Sequence, residues 1–137
     1  PPALLFFVPL SFFLTPPPPP VAPPPFTPNC IVHHIPEPRL ALAEMLRVLA
    51  PGGLLFVRDL MRPPDDGQVR HLVDTYAAGA NAHQREMFDA SLRAALTLEE
   101  IRGLIEALGL YGDAVQATSD RHWTLAAARP ASNARIA

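Results

Sequence analysis

The sequence predicts a mixed α/β fold, and three observations carry that prediction. Between residues 39 and 59 a helical pattern, a glycine brake and a short apolar run follow one another without interruption. Thr97 to Glu100 reads as a capping box opening an amphipathic helix. The described pattern then closes on two strand-like runs joined through Ser119-Asp120, a turn-prone pair.

Taken in order, Asn29-Cys30-Ile31-Val32-His33-His34-Ile35-Pro36 ends an extended run. Arg39 to Leu49 then places Leu42, Met45, Leu46 and Leu49 at helical spacing. Pro51-Gly52-Gly53 ends that helix, because proline disfavours the helical conformation in the residue before it and glycine reaches the left-handed angles of a helix end. Leu54-Leu55-Phe56-Val57, followed by Arg58-Asp59, suits a parallel strand buried on both faces. After the turn-rich Pro63-Pro64-Asp65-Asp66-Gly67, a second helix is expected from Val69, Leu72, Val73 and Tyr76. A third runs from Gln84 to Ala95, with Met87, Phe88 and Leu92 as its core face, and Gly79-Ala80-Asn81 as the break before it. In the fourth, Leu98, Ile101, Ile105 and Leu108 share one face, and Gly109 sits where a left-handed cap belongs. Ala114 to Thr118 and His122 to Ala128 form the terminal hairpin.

The 137 residues suffice for one ordinary domain or part of a larger one, and 49% apolar content supports a core. A formal charge of -2 with interspersed signs gives no basic stripe for a phosphate backbone, so nucleic acid is not an expected partner. A single cysteine, Cys30, rules out an internal disulfide and a cysteine-rich zinc site, which fits a reducing, cytoplasmic compartment. Next to a strand end it reads as a small buried filler, with no adjacent cation to activate it as a nucleophile.

Three regions follow from composition. Residues 1–28 are a proline-rich leader: a greasy run, Ala3 to Leu14, leads into Pro16 to Pro20 and Pro23 to Pro25. That run is too short for a bilayer, which needs about 20 apolar residues, and it lacks the charged start and small-residue cleavage pattern of a signal peptide. The leader is expected to be disordered, and no membrane association is expected. Residues 29–130 form the folded unit, and residues 131–137 have no periodicity and are expected to fray.

From Asn29 onward the chain resembles the C-terminal half of a class I S-adenosylmethionine-dependent methyltransferase of the ubiquinone-biosynthesis-like group. Asn29 to Pro38, with its paired histidines, resembles the segment after that family's fourth strand. Arg47-Val48-Leu49-Ala50-Pro51-Gly52-Gly53 resembles the signature before its fifth strand, and Leu54 to Asp59 the strand itself. The terminal hairpin resembles the sixth and seventh strands, the last of which runs antiparallel in the family. The resemblance implies a partial Rossmann-like domain lacking counterparts of strands one to three. It implies methyl transfer to a small-molecule substrate, with S-adenosylmethionine as cofactor. The family's glycine-rich loop after strand one and its acidic ribose-binding residue after strand two have no counterpart, since Pro1 to Pro28 contains neither glycine nor acid. A truncated form inactive on its own is therefore expected. What carries over is an edge: Asn29 and His33 toward the cofactor, His34 and Asp59 toward the substrate.

Methyl transfer from a sulfonium is an in-line displacement in which the protein mainly aligns the reactants and excludes water. No catalytic triad is required, and no catalytic residue or metal ligand is assigned. A histidine suits the role of base where the acceptor must lose a proton. In extended chain His33 and His34 point opposite ways and cannot share a metal. Asp59 has a second reading as a carboxylate that caps local amides or pairs with Arg58 or Arg62. Arg121-His122-Trp123 reads as strand, with Trp123 inward and His122 outward. An alternative function class is a non-catalytic interaction module, which pairs an exposed sheet edge with a protein partner or a second copy.

Overall fold

The computed structural model describes residue 27 and residues 29–130, so the tail and, apart from Thr27, the leader lie outside the described residues. A 3-10 turn at Val32–His34 leads into helix α1 (Pro38–Val48), strand β1 (Leu54–Leu60), helices α2 (Asp66–Tyr76), α3 (Ala82–Ala94) and α4 (Leu98–Glu106), and strands β2 (Val115–Ala117) and β3 (His122–Ala128). The sheet order is β1-β3-β2, and β3 is antiparallel to both neighbours. The antiparallel last strand is the one the hairpin pattern predicts. It lies in the centre of this sheet, with Val57 opposite Leu125 on one side and Val115 opposite Leu125 on the other.

Local chemistry sets each helix boundary. Proline occupies the first turn of α1, where its missing N–H has no partner to lose. Asp65 accepts from the amide of Gln68 at 2.8 Å to start α2. Two reciprocal capping boxes open α3 and α4: Asn81 with Gln84, and Thr97 with Glu100. Only the second is among the sequence expectations. Gly109 takes φ +80°, as expected for a residue closing α4. Gly53 is required for another reason. A Cβ there would stand 2.8 Å from the carbonyl oxygen of Ala50, so the turn between α1 and β1 admits no side chain.

The inward face of the sheet carries Leu55, Val57, Val115, Trp123, Leu125 and Ala127. It packs with Leu42 and Leu46 of α1 and Ile101 and Ile105 of α4 into the main core. A second, smaller cluster joins Val69, Leu72 and Val73 of α2 to Leu92 of α3, Ala95 and Leu60. Arg129 locks the far end, its guanidinium donating to the carbonyls of Arg47 (2.8 Å) and Leu49.

Three expectations are corrected. Strand β1 is not buried on both faces. Its burial alternates along the strand, and Leu54 and Phe56 are 43% and 39% exposed because no described element covers the outward face. Its ladder partner is antiparallel, and among the described residues its other edge holds the single parallel bridge of Asn29 to Arg58. Met87 is 54% exposed rather than core, since α3 turns Leu92, with Phe88 partly buried, toward α2 and leaves Met87 outside. Cys30 is exposed rather than a buried filler, and it takes φ +50°, the left-handed angle that turns the chain from its bridge with Arg58 into the 3-10 turn.

Candidate functional site

Asp59 is the one buried charged residue among the described residues, at 0% exposure. Period-two alternation along β1 sends its carboxylate inward, at the carboxyl end of the strand. A carboxylate taken from water needs compensation, and here four donors converge on it. Oδ2 accepts from the amides of Val32 (2.5 Å) and His33 (3.2 Å). Oδ1 accepts from Nδ1 of His33 (2.5 Å) and from the amide of Leu60 (2.6 Å). The 3-10 turn makes this possible. Its tight winding aims successive amides at one acceptor and swings the His33 ring back to the same group.

Paired histidines in extended chain would point opposite ways, but Val32–His34 is not extended, so that expectation is corrected. The two rings lie 3.9 Å apart between centroids, tilted by 43°. An ionised carboxylate only accepts, so the His33 proton facing Asp59 sits on Nδ1 and leaves Nε2 as the lone-pair nitrogen. The His33 side chain is 5% exposed, and Nε2 has no hydrogen-bond partner among the described residues. His34 is exposed beside it. The arrangement is a histidine oriented by a buried acid, able to take a proton through its outer nitrogen.

The structure therefore brings His33, His34 and Asp59 together and sets Asn29 next to them. Asn29 is exposed, and its side-chain oxygen accepts from the Cys30 thiol at 3.4 Å. The oxygens of Asp59 are enclosed and accept from four donors, the geometry of the amide-capping alternative. Asp59 pairs with neither Arg58 nor Arg62. Arg62 pairs with Glu100, whose carboxyl is held below the ordinary range chiefly by the Thr97 amide. The Cys30 thiol is pushed up by partial burial and by the charge of Asp59, against a smaller opposing effect of Arg58, so it is held away from the reactive thiolate.

Sequence spacing misses a second polar cluster on the outward face. Arg58 Nη2 lies 3.3 Å from Nδ1 of His122, and Ser119 Oγ lies 2.9 Å from the same nitrogen. The register that sets Leu60 opposite His122 and Arg58 opposite Thr124 makes Arg58 and His122 diagonal neighbours. Trp123 points inward, as expected. A separate open groove of about 400 Å³, lined by Arg102, Glu106, Tyr111, Gly112 and Asp113, shares no residue with either cluster.

Among the described residues no group of three His, Cys, Asp or Glu side chains is placed to hold a metal ion, and no helix is long and apolar enough to cross a membrane. Their glycines occupy helix ends, turns and α4, and none forms a glycine-rich strand-to-helix turn of the kind that cradles a nucleoside cofactor. The described residues thus do not make a complete grip for such a cofactor.

Neither the curated proteins nor the solved structures contain a match to this chain. One family model does match, that of a methyltransferase domain, over residues 27–57. That stretch includes Asn29, both histidines, α1 and the first part of β1, and it stops two residues before Asp59. Over that stretch, under a quarter of the chain, the sequence is similar to a methyltransferase domain.

Proposed function

We propose that this chain supplies the acceptor-side wall of a methyltransferase that moves the methyl group of S-adenosylmethionine to a small molecule. The single observation that carries the reading is the His33–Asp59 pair, whose histidine lies inside the matched segment and whose acid stands two residues beyond it. In this reading Asn29 and His33 edge the cofactor. His34 faces the acceptor, and Asp59 serves by orienting His33 rather than by touching substrate. The cofactor, when bound, supplies the electrophilic methyl carbon. His33 takes a proton at Nε2 if the acceptor has one to lose, and the 3-10 turn holds both rings at fixed orientation. A reducing, cytoplasmic setting is proposed from the lone cysteine.

The same reading holds that the chain is a partial domain and needs the glycine-loop portion to bind its cofactor. Isothermal titration of S-adenosylmethionine and S-adenosylhomocysteine into the folded 137-residue protein tests it, and the expected result is no saturable heat. Saturable binding near micromolar, about -8 kcal/mol, would show that the residues present are a sufficient site and overturn the partial-domain reading.

A second reading, as an interaction module, is favoured by the open edge of β1. Gly53, which accepts from Arg129, and Met61, which donates to Arg121, turn their backbone groups toward β3. The alternate positions Leu54 and Phe56 therefore turn theirs the other way, where, among the described residues, Arg58 is the one position of β1 with a partner, Cys30. Pro23, Pro24, Pro25 and Pro28, just before this bridge in sequence, have no N–H to give that edge. Pairing with an extended segment of another protein, or of a second copy, would complete the ladder and cover Leu54 and Phe56. Light scattering across a hundredfold concentration range is expected to show self-association. An unchanging monomer would dispose of the second copy as the partner.

A further inference from the structure

We propose that Arg58, His122 and Ser119 form an oxyanion-binding site on the outward face of the sheet, which takes the carboxylate or phosphate group of an acidic small molecule. The proposal rests on the methyltransferase reading only in naming that molecule as the acceptor; the site itself stands on geometry.

Arg58 is exposed and forms no ion pair among the described residues. Its contact with His122 uses one of five N–H donors. A guanidinium can only donate, so Nδ1 of His122 accepts, and the ring proton lies on Nε2. Ser119 Oγ approaches the same Nδ1 at 2.9 Å and also accepts from the amide of Arg121 at 3.3 Å, which leaves its proton for the ring nitrogen. One lone pair thus has two claimants, and either donor is released without loss when an oxyanion arrives. Thr118 and Thr124 join their hydroxyls at 2.8 Å beside this cluster and extend the polar surface.

The neighbouring cation is already engaged. Arg121 pairs with Asp120 at 2.8 Å and lies 3.4 Å above the Tyr76 ring, while the Tyr76 hydroxyl donates to Asp120 at 2.7 Å. Asp120 is therefore shared between two partners, and Asp59 points to the other face, so among the described residues Arg58 is without a carboxylate of its own. The charges facing His122 are Arg58 and Arg121 against Asp120 and Asp59. Burial, followed by the two guanidiniums, holds the imidazole below its usual proton affinity. A bound oxyanion reverses that balance, because it lets His122 protonate and donate alongside Arg58. The cluster lies toward the carboxyl end of β1, on the side of the sheet opposite Asp59.

The test is proton NMR of His122, assigned with a His122→Gln variant, during separate titrations with inorganic phosphate and with acetate. Saturable movement of the His122 ring signals with either anion, and a rise in its titration midpoint, is expected. Arg58→Ala should abolish the saturable movement, and Arg58→Lys should retain part of it, with unchanged amide spectra showing that both variants fold. Phosphate alone would identify a phosphorylated ligand, and acetate alone a carboxylic acid. No movement with either anion, or the same movement in Arg58→Ala, overturns the proposal. Because no cofactor enters these titrations, the anion site can fail or stand independently of S-adenosylmethionine binding.

Discussion

Replacing Asp59 by alanine is expected to remove on the order of 3–5 kcal/mol of stability, the range for breaking a buried charged pair. The cause is not one lost ion pair. The carboxylate is fully enclosed, and its removal leaves the amides of Val32, His33 and Leu60 and the ring of His33 without their acceptor. Each buried donor left unpaired costs about 1–3 kcal/mol, and relaxation of the 3-10 turn into water recovers part of that. Urea unfolding of the variant beside the parent measures it. A loss below about 1 kcal/mol would mean that the turn does not depend on Asp59. Small domains are stable by only about 5–15 kcal/mol, so the variant should also release Asn29, His33 and His34 from their common position. Asp59→Asn should fall between parent and alanine, because its oxygen still accepts while its amide group faces donors.

The second large effect is expected at Trp123, where truncation and conservative replacement should part widely. Trp123 is 1% exposed at the centre of the main core, and its Nε1 is buried without a hydrogen-bond partner among the described residues. Trp123→Ala should cost about 3–5 kcal/mol through lost burial and the cavity left behind. Trp123→Phe loses less area and also removes the orphaned donor, whose burial costs about 1–3 kcal/mol. Its net cost should therefore stay under about 1.5 kcal/mol. Thermal and urea unfolding of the two variants decides the matter. If phenylalanine proved as damaging as alanine, the indole nitrogen would have to be bonded after all.

What was legible in the sequence was local. The residues of β3, the Thr97–Glu100 box and the left-handed Gly109 follow from alternation, hydrogen-bonding reach and backbone freedom, all of which act within a few residues. The helix-to-strand passage through Pro51-Gly52-Gly53 was legible for the same reason. The site was legible only as a set of residue types. His33 and Asp59 stand 26 positions apart, and nothing in either's neighbours says that a 3-10 turn will place Nδ1 against the carboxylate. The two-faced burial expected of β1 failed because a run of apolar residues reports hydrophobicity and not which layers are present to cover it. Met87 failed in the same way: helical spacing identifies a stripe, and the angle at which α3 meets α2 decides which part is covered. The Arg58–His122 contact depends on strand register across 64 positions, which no local pattern encodes.

The central place of β3 also orders events during synthesis. Strands β1 and β2 are made first, and neither is the other's neighbour; each finds its partner only in the last strand of the described chain. The α2–α3 pair can assemble while the chain is still growing, because its contacts are close in sequence. The sheet has to wait until Ala128 has been made, and Leu55, Val57 and Val115 stay without their shared cover until then. Folding should therefore finish in one late step, and a nascent chain that stops short of β3 is the species most exposed to chaperones and to aggregation.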